Sequence, residues 1–148
     1  MTKRINVYSL EPNAYKALRS VEDYTRMAQL PASLRELIKI RASQINGCAY
    51  CIDMHTQDAI KLGETPRRIF ALSAWKESPL FSEEERNVLQ LTEEVTVISK
   101  QGVSNETYNA VLKFYSENQL AQILMQIVVI NSWNRIAVST NQVFEPHE

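Results

Sequence analysis

Apolar side chains recur at three- and four-residue intervals along nearly the whole chain, and capping residues punctuate the runs, so the pattern predicts helices. Pro12 to Ala28 carries Tyr15, Leu18, Val21, Tyr24 and Met27 at close to helical spacing, and Pro31 marks its end. Ser33-Leu34-Arg35-Glu36 has the form of a capping box and predicts a second helix to about Ile45, with Leu34, Leu37, Ile38, Arg41 and Ile45 along it. A third helix lies between the turn signal Asn46-Gly47 and the stop at Gly63. Thr65-Pro66 opens a short helix through Leu72 and Ala74. Ser82-Glu83-Glu84-Glu85 opens one bearing Val88, Leu89, Leu91, Val95 and Ile98, with Gly102 as its stop. Ser104 caps a helix with Tyr108, Val111, Leu112 and Tyr115, and Ser116 to Gln119 caps a long one running to about Val138. No strand alternation, repeat or low-complexity tract interrupts the series. The expected fold is all-α, a helical bundle of about six to seven helices.

The last helix is unlike the rest. From Ala121 to Ile130 only Gln122 and Gln126 are polar, so the segment is apolar nearly all round and is expected to be a core helix with one face available to another subunit. Its apolar run is shorter than the roughly 20 residues that span a bilayer, so no membrane crossing is expected. At 148 residues and 45% hydrophobic content, the chain suits one domain with a sizeable core. A net charge of -1 offers no broad basic surface, which argues against nucleic acid or anionic membrane as a partner. Met1-Thr2-Lys3-Arg4 runs into the mixed segment Ile5 to Leu10 without the form of an export leader, which predicts a cytoplasmic protein.

Chemistry is concentrated in the third helix. Both cysteines fall in Asn46-Gly47-Cys48-Ala49-Tyr50-Cys51-Ile52-Asp53-Met54-His55. On a helix, Cys48, Cys51 and His55 occupy positions i, i+3 and i+7, a single stripe that gathers two thiols and an imidazole. The thiols lie in the first turn, where unpaired N–H groups and the helix dipole favour a thiolate. A thiol with pKa about 8.5 is about 3% ionised at pH 7, and lowering it by about two units makes it about three-quarters ionised. A cytoplasmic thiol pair of this spacing reads as catalytic or metal-binding rather than as a structural bridge.

Glu36, eleven intervening residues, Cys48-x-x-Cys51, three more and His55 resemble the signature of the alkylhydroperoxidase D-like branch of the carboxymuconolactone decarboxylase superfamily. The likeness extends through Leu34 to Ile38, Ser43 to Gly47, Gly63-Glu64-Thr65 and Asn131-Ser132-Trp133-Asn134-Arg135. The resemblance implies a compact helical subunit that assembles into homo-oligomers, commonly trimers or hexamers. It also implies a peroxidase chemistry without a cofactor: Cys51 attacks a hydroperoxide, Cys48 resolves the sulfenic acid as a disulfide, and Glu36 with His55 forms the proton relay. An external thiol, from a lipoyl-bearing or thioredoxin-like protein or a small molecule, is the implied reductant. The dipole argument alone would instead favour Cys48, which lies nearer the helix start. Decarboxylation is not expected, since the decarboxylase branch generally lacks the redox pair.

One position departs from the pattern. The better-known alkylhydroperoxidase D proteins carry a histidine between the cysteines, where this chain has Tyr50, and a phenol with pKa about 10 is a poor base at neutral pH. A simpler relay is expected. Two other readings compete: a metal site built from Cys48, Cys51, His55 and Glu36, for which His147 is the only further histidine, and an oligomeric module with an inert disulfide. Duller roles are open for single residues too: Glu36 as the capping-box partner of Ser33, Asp58 as a solvated carboxylate, Tyr50 and Trp133 as packing residues, and Asn131, Asn134 and Arg135 as a hydrogen-bond cluster.

Overall fold

Capping chemistry sets most of the helix boundaries. The computed structural model describes residue 2 and residues 4–144. Among the described residues there are eight α-helices and no strand: α1 (Val7–Leu10), α2 (Pro12–Arg26), α3 (Ala32–Asn46), α4 (Ala49–Lys61), α5 (Pro66–Ala71), α6 (Glu83–Thr96), α7 (Asn105–Leu112) and α8 (Glu117–Ser139). A 3-10 segment over Leu72–Glu77 follows α5 and is itself kinked at Ala74. Thr65 and Ser104 cap α5 and α7, and full capping boxes start α6 at Ser82 and α8 at Ser116. The one-turn α1 is an addition to the expected series, held by Asn6, whose side chain accepts from the Ser9 amide.

Two expectations fail for identifiable reasons. Helix α3 starts two residues earlier than Ser33 predicts, with Pro31 at the cap position and no side-chain cap, so Ser33 and Glu36 form no capping box. In α2, Tyr24 and Met27 face solvent, Met27 at 76% exposure. Residues spaced strictly by three drift about 60° per step around a helix, so Tyr24 lies opposite Tyr15. The inward face is instead Tyr15 and Leu18, half-buried, with Glu22 and Thr25 buried.

Helix α3 is the centre of the packing. Its Leu34 and Ile38 join one apolar cluster with Val88, Leu91, Leu120, Ile123 and Ile127, while Leu37 and Ile40 join a second with Ala59, Leu72, Trp75 and Leu89. Ala42 joins a third, which holds both cysteines against Ile130 and Ala137 of α8. Helices α4, α6 and α8 all pack on α3. The apolar character of α8 divides accordingly: Leu120, Ile123, Ile127 and Ile130 face inward, and Met125, Val128 and Val138 are exposed. No helix among the described residues is long and apolar enough to cross a membrane.

The position of Leu37 gives a direct test of this arrangement. It has no exposed surface, so Leu37→Ala should destabilise the fold by about 2–5 kcal/mol in urea unfolding, whereas Phe70→Ala, at 81% exposure, should stay within about 0.5 kcal/mol.

Candidate active site

The α3–α4 junction is built to deliver two cysteines at a helix start. Gly47 ends α3 in the left-handed region at φ 65°, a conformation that an L side chain rarely adopts. The Cys48 amide then donates to the Ser43 carbonyl at 3.0 Å, and Cys48 becomes the cap residue of α4. Its sulfur accepts from the Cys51 amide at 3.3 Å. The two cysteines are joined in a disulfide with their Cα atoms 5.4 Å apart.

Asparagines of α8 brace this turn. Asn46 donates to Asn131 at 3.0 Å and to Asn134 at 2.9 Å, and Asn134 donates to the Ser43 hydroxyl at 3.0 Å. Arg135 donates to the Asn131 side chain at 2.9 Å. The polar group in the apolar helix is therefore a hydrogen-bond cluster holding the cysteine turn.

Below the cysteines, α3 and α4 face each other through Glu36 and His55. Glu36 Oε2 lies 3.0 Å from His55 Nδ1, and both residues are buried, at 7% and 6% exposure. Lys39, one turn along α3 and only 5% exposed, donates to the other oxygen, Glu36 Oε1, at 2.7 Å. Burial by itself pushes the Glu36 carboxyl up, but the hydrogen bond from His55 and the Lys39 ammonium outweigh it and hold the group below the ordinary glutamate range. An ionised Glu36 only accepts, so the His55 Nδ1 must carry the proton in that bond. Neutral His55 then presents an unprotonated Nε2, the form that accepts a proton from a thiol.

A cavity of about 600 Å³ opens over this constellation. Cys51, His55, Glu36, Lys39, Tyr50 and Trp133 are among its walls. Cys48 is not. Both cysteines are buried with Ala42, Ile130 and Ala137 against the half-buried Tyr50, and of the two Cys51 alone reaches the cavity wall. Tyr15 stacks edge-on against Trp133 at 5.0 Å, and the Trp133 indole donates to Glu22 Oε2 at 3.2 Å. Tyr50 and Trp133 thus pack as expected but also form cavity wall.

Of the residues named from the sequence, Glu36, Cys48, Cys51 and His55 are brought together; His147 lies outside the described residues. The Asp58 side chain is 45% exposed, as expected of a solvated carboxylate; it pairs with Lys61 at 3.3 Å and places a ligand-capable atom within 4.8 Å of ones on Glu36 and His55. Both Glu36 oxygens already have partners, however, and the Lys39 ammonium would repel a cation drawn to that carboxylate. The group is a hydrogen-bonded charge cluster. Sequence reasoning missed Lys39 and Glu22. The available signal was a charged pair, Glu36 and Lys39, embedded in the apolar run Leu34 to Ile40.

With this geometry in view, the comparisons with known proteins are informative. Residues 12–94, which span Glu22, Glu36, Lys39, Cys48, Cys51 and His55, match the carboxymuconolactone decarboxylase family. The chain is 45% identical over 139 residues to the uncharacterized Bacillus subtilis protein YdfG, covering 94% of this chain and 95% of that protein. It superposes with a TM-score of 0.96 on a crystallised Agrobacterium tumefaciens protein of unknown function whose description links it to the antioxidant defence protein AhpD. The two are 35% identical over 99% of this chain and 100% of the other. The debrominase Bmp8, at 20% identity and a TM-score of 0.82 over 93% of this chain and 74% of its own, shares the fold. The chain belongs to the carboxymuconolactone decarboxylase family, in its alkylhydroperoxidase D-like branch.

The sign of the Glu36 shift yields a pH prediction. A carboxyl whose folded pKa is depressed contributes stability above its unfolded pKa of about 4.3, and that contribution is lost as pH falls through the lower folded value. The stability difference between wild type and Glu36→Gln, measured by urea unfolding, should therefore be present at pH 6 and shrink toward pH 3.

Proposed function

We propose that this protein is a thiol-dependent peroxidase that reduces organic hydroperoxides through Cys51, Cys48, His55 and Glu36. The observation that carries the reading is an asymmetry in the cavity wall: both cysteines are buried in one apolar cluster, but Cys51 lines the cavity together with His55 and Cys48 does not. In the reduced protein, His55 Nε2 takes the Cys51 proton and Glu36 stabilises the imidazolium. The thiolate attacks the terminal peroxide oxygen, an S–O bond forms as O–O breaks, and His55 returns the proton to the departing alkoxide. Cys48 then attacks the sulfenic sulfur, forming the disulfide and releasing water. An external dithiol, from a lipoyl-bearing or thioredoxin-like protein or a small molecule, restores both thiols. The net change is hydroperoxide plus dithiol to alcohol, water and disulfide.

The cavity-lining position of Cys51 favours it as the attacking residue over the dipole argument for Cys48. It also disfavours an inert disulfide, since a purely structural bond has no use for an imidazole and a cavity beside it. The cavity volume is far larger than hydrogen peroxide needs, and its aromatic walls offer apolar contact to a carbon skeleton. We extend the proposal to assembly: exposed Met125 and Val128, one turn apart on α8, and Val138 further along it beyond the exposed Arg135, are apolar surface that a second copy of the chain would cover, giving a trimer or hexamer.

Reduced protein should consume one equivalent of hydroperoxide with loss of both thiols. Cys51→Ser should abolish turnover, and Cys48→Ser should stop after sulfenic acid formation. Thiol titration after peroxide checks this, and unchanged thiols refute the reading. With a dithiol present, kcat/KM for cumene hydroperoxide should exceed that for hydrogen peroxide by about tenfold or more, given about 1.4 kcal/mol of apolar contact. Light scattering at micromolar concentration should give at least three times the subunit mass, and a monomer there contradicts the assembly.

A further inference from the structure

We propose that Lys39 and Glu22 are positioning residues of the thiol relay, so that the working unit is a charge string from α2 to α4 rather than the Glu36–His55 pair alone. The inference rests on the relay reading above and deepens it.

A lysine this deeply buried needs compensating charge, because desolvating an unpaired ammonium is expensive. Lys39 Nζ has two carboxylates, Glu36 Oε1 at 2.7 Å and Glu22 Oε1 at 3.9 Å. Glu22 is itself fixed from α8 by the Trp133 indole on Oε2, and Arg26 approaches Oε1 at 3.7 Å. Each Glu36 oxygen thus has one assigned partner: Lys39 occupies Oε1, which leaves Oε2 to His55. A proton cannot settle on Oε1 without displacing the ammonium, so Glu36 stays a carboxylate and keeps His55 in the tautomer that exposes Nε2.

The balance of buried charge points the same way. Glu22, Glu36 and Lys39 sum to a single negative charge, which offsets the imidazolium formed at His55, while the exposed Arg26 guanidinium stands 3.7 Å from Glu22 on the solvent side and the Cys51 thiolate faces the cavity. Without Glu22, the Lys39 charge would oppose the imidazolium. Without Lys39, two buried carboxylates would face each other, and one would take the proton meant for His55. The remaining charged groups around this site are Asp58 and Lys61, paired on α4, Arg35, which donates to the Arg26 and Ala28 carbonyls, and Arg19 on the cavity wall.

The test reads Cys51 reactivity without peroxide, as the rate of iodoacetamide alkylation at pH 6 in reduced Cys48→Ser protein, with thermal melting to verify folding. Lys39→Met should slow alkylation about tenfold when Glu36 is present, the effect of about one pKa unit, and less than about twofold in a Glu36→Gln background. Lys39→Arg should stay within about twofold of the parent. Glu22→Gln should slow alkylation about threefold when Lys39 is present yet speed it on Lys39→Met, where it removes the competing carboxylate. Equal slowing by Lys39→Met with and without Glu36, or no slowing by either substitution, overturns the proposal. If Lys39→Met does not fold, the isosteric Glu22→Gln decides alone, and an unchanged rate overturns it. Absent peroxide turnover with this cycle intact would remove the proposed reaction and leave the relay standing.

Discussion

A buried carboxylate, Glu36, is the constraint on which the site depends. It belongs to the helix around which the other helices pack, so its position is fixed by Leu34, Leu37, Ile38 and Ile40, whose side chains are all almost fully enclosed. A charge there is tolerable only with both oxygens engaged, and the fold supplies one partner from α3 itself and one from α4. The same pairing that makes the core electrostatically acceptable also sets the tautomer of His55. Stability and chemistry share one set of hydrogen bonds.

The cysteine turn is fixed by a separate device. Gly47 reverses the chain, the Ser43 carbonyl catches the Cys48 amide, and the asparagines of α8 clamp Asn46 from the far side. This leaves the two cysteines unequal although they are three residues apart: both are buried in one apolar cluster, and Cys51 alone of the two also lines the cavity. The proposed division of labour between an attacking and a resolving thiol rests on that inequality rather than on the helix dipole, which acts on both.

Features written locally were legible in the sequence, and features made by distant contact were not. Thr65, Ser82, Ser104 and Ser116 set helix starts because a cap needs only residues within one turn. The grouping of Cys48, Cys51 and His55 was legible for the same reason, and Glu36 only through the resemblance to the family signature. Ser33 misled because Pro31 allows the helix to begin before it. Tyr24 and Met27 misled because three-residue spacing drifts out of register with the helix. Glu22 carried no signal: its partners Lys39 and Trp133 are 17 and 111 residues away, and only the packing of α2 on α3 and α8 brings them together.

The central claim is that Cys51 is the thiol that meets the peroxide. Reduced Cys48→Ser protein treated with one equivalent of cumene hydroperoxide and dimedone, then examined by peptide mass spectrometry, tests it most directly. A dimedone adduct on Cys51, lost when His55→Ala is added, is the predicted result. An unmodified Cys51 under conditions that oxidise a free thiol control would contradict it.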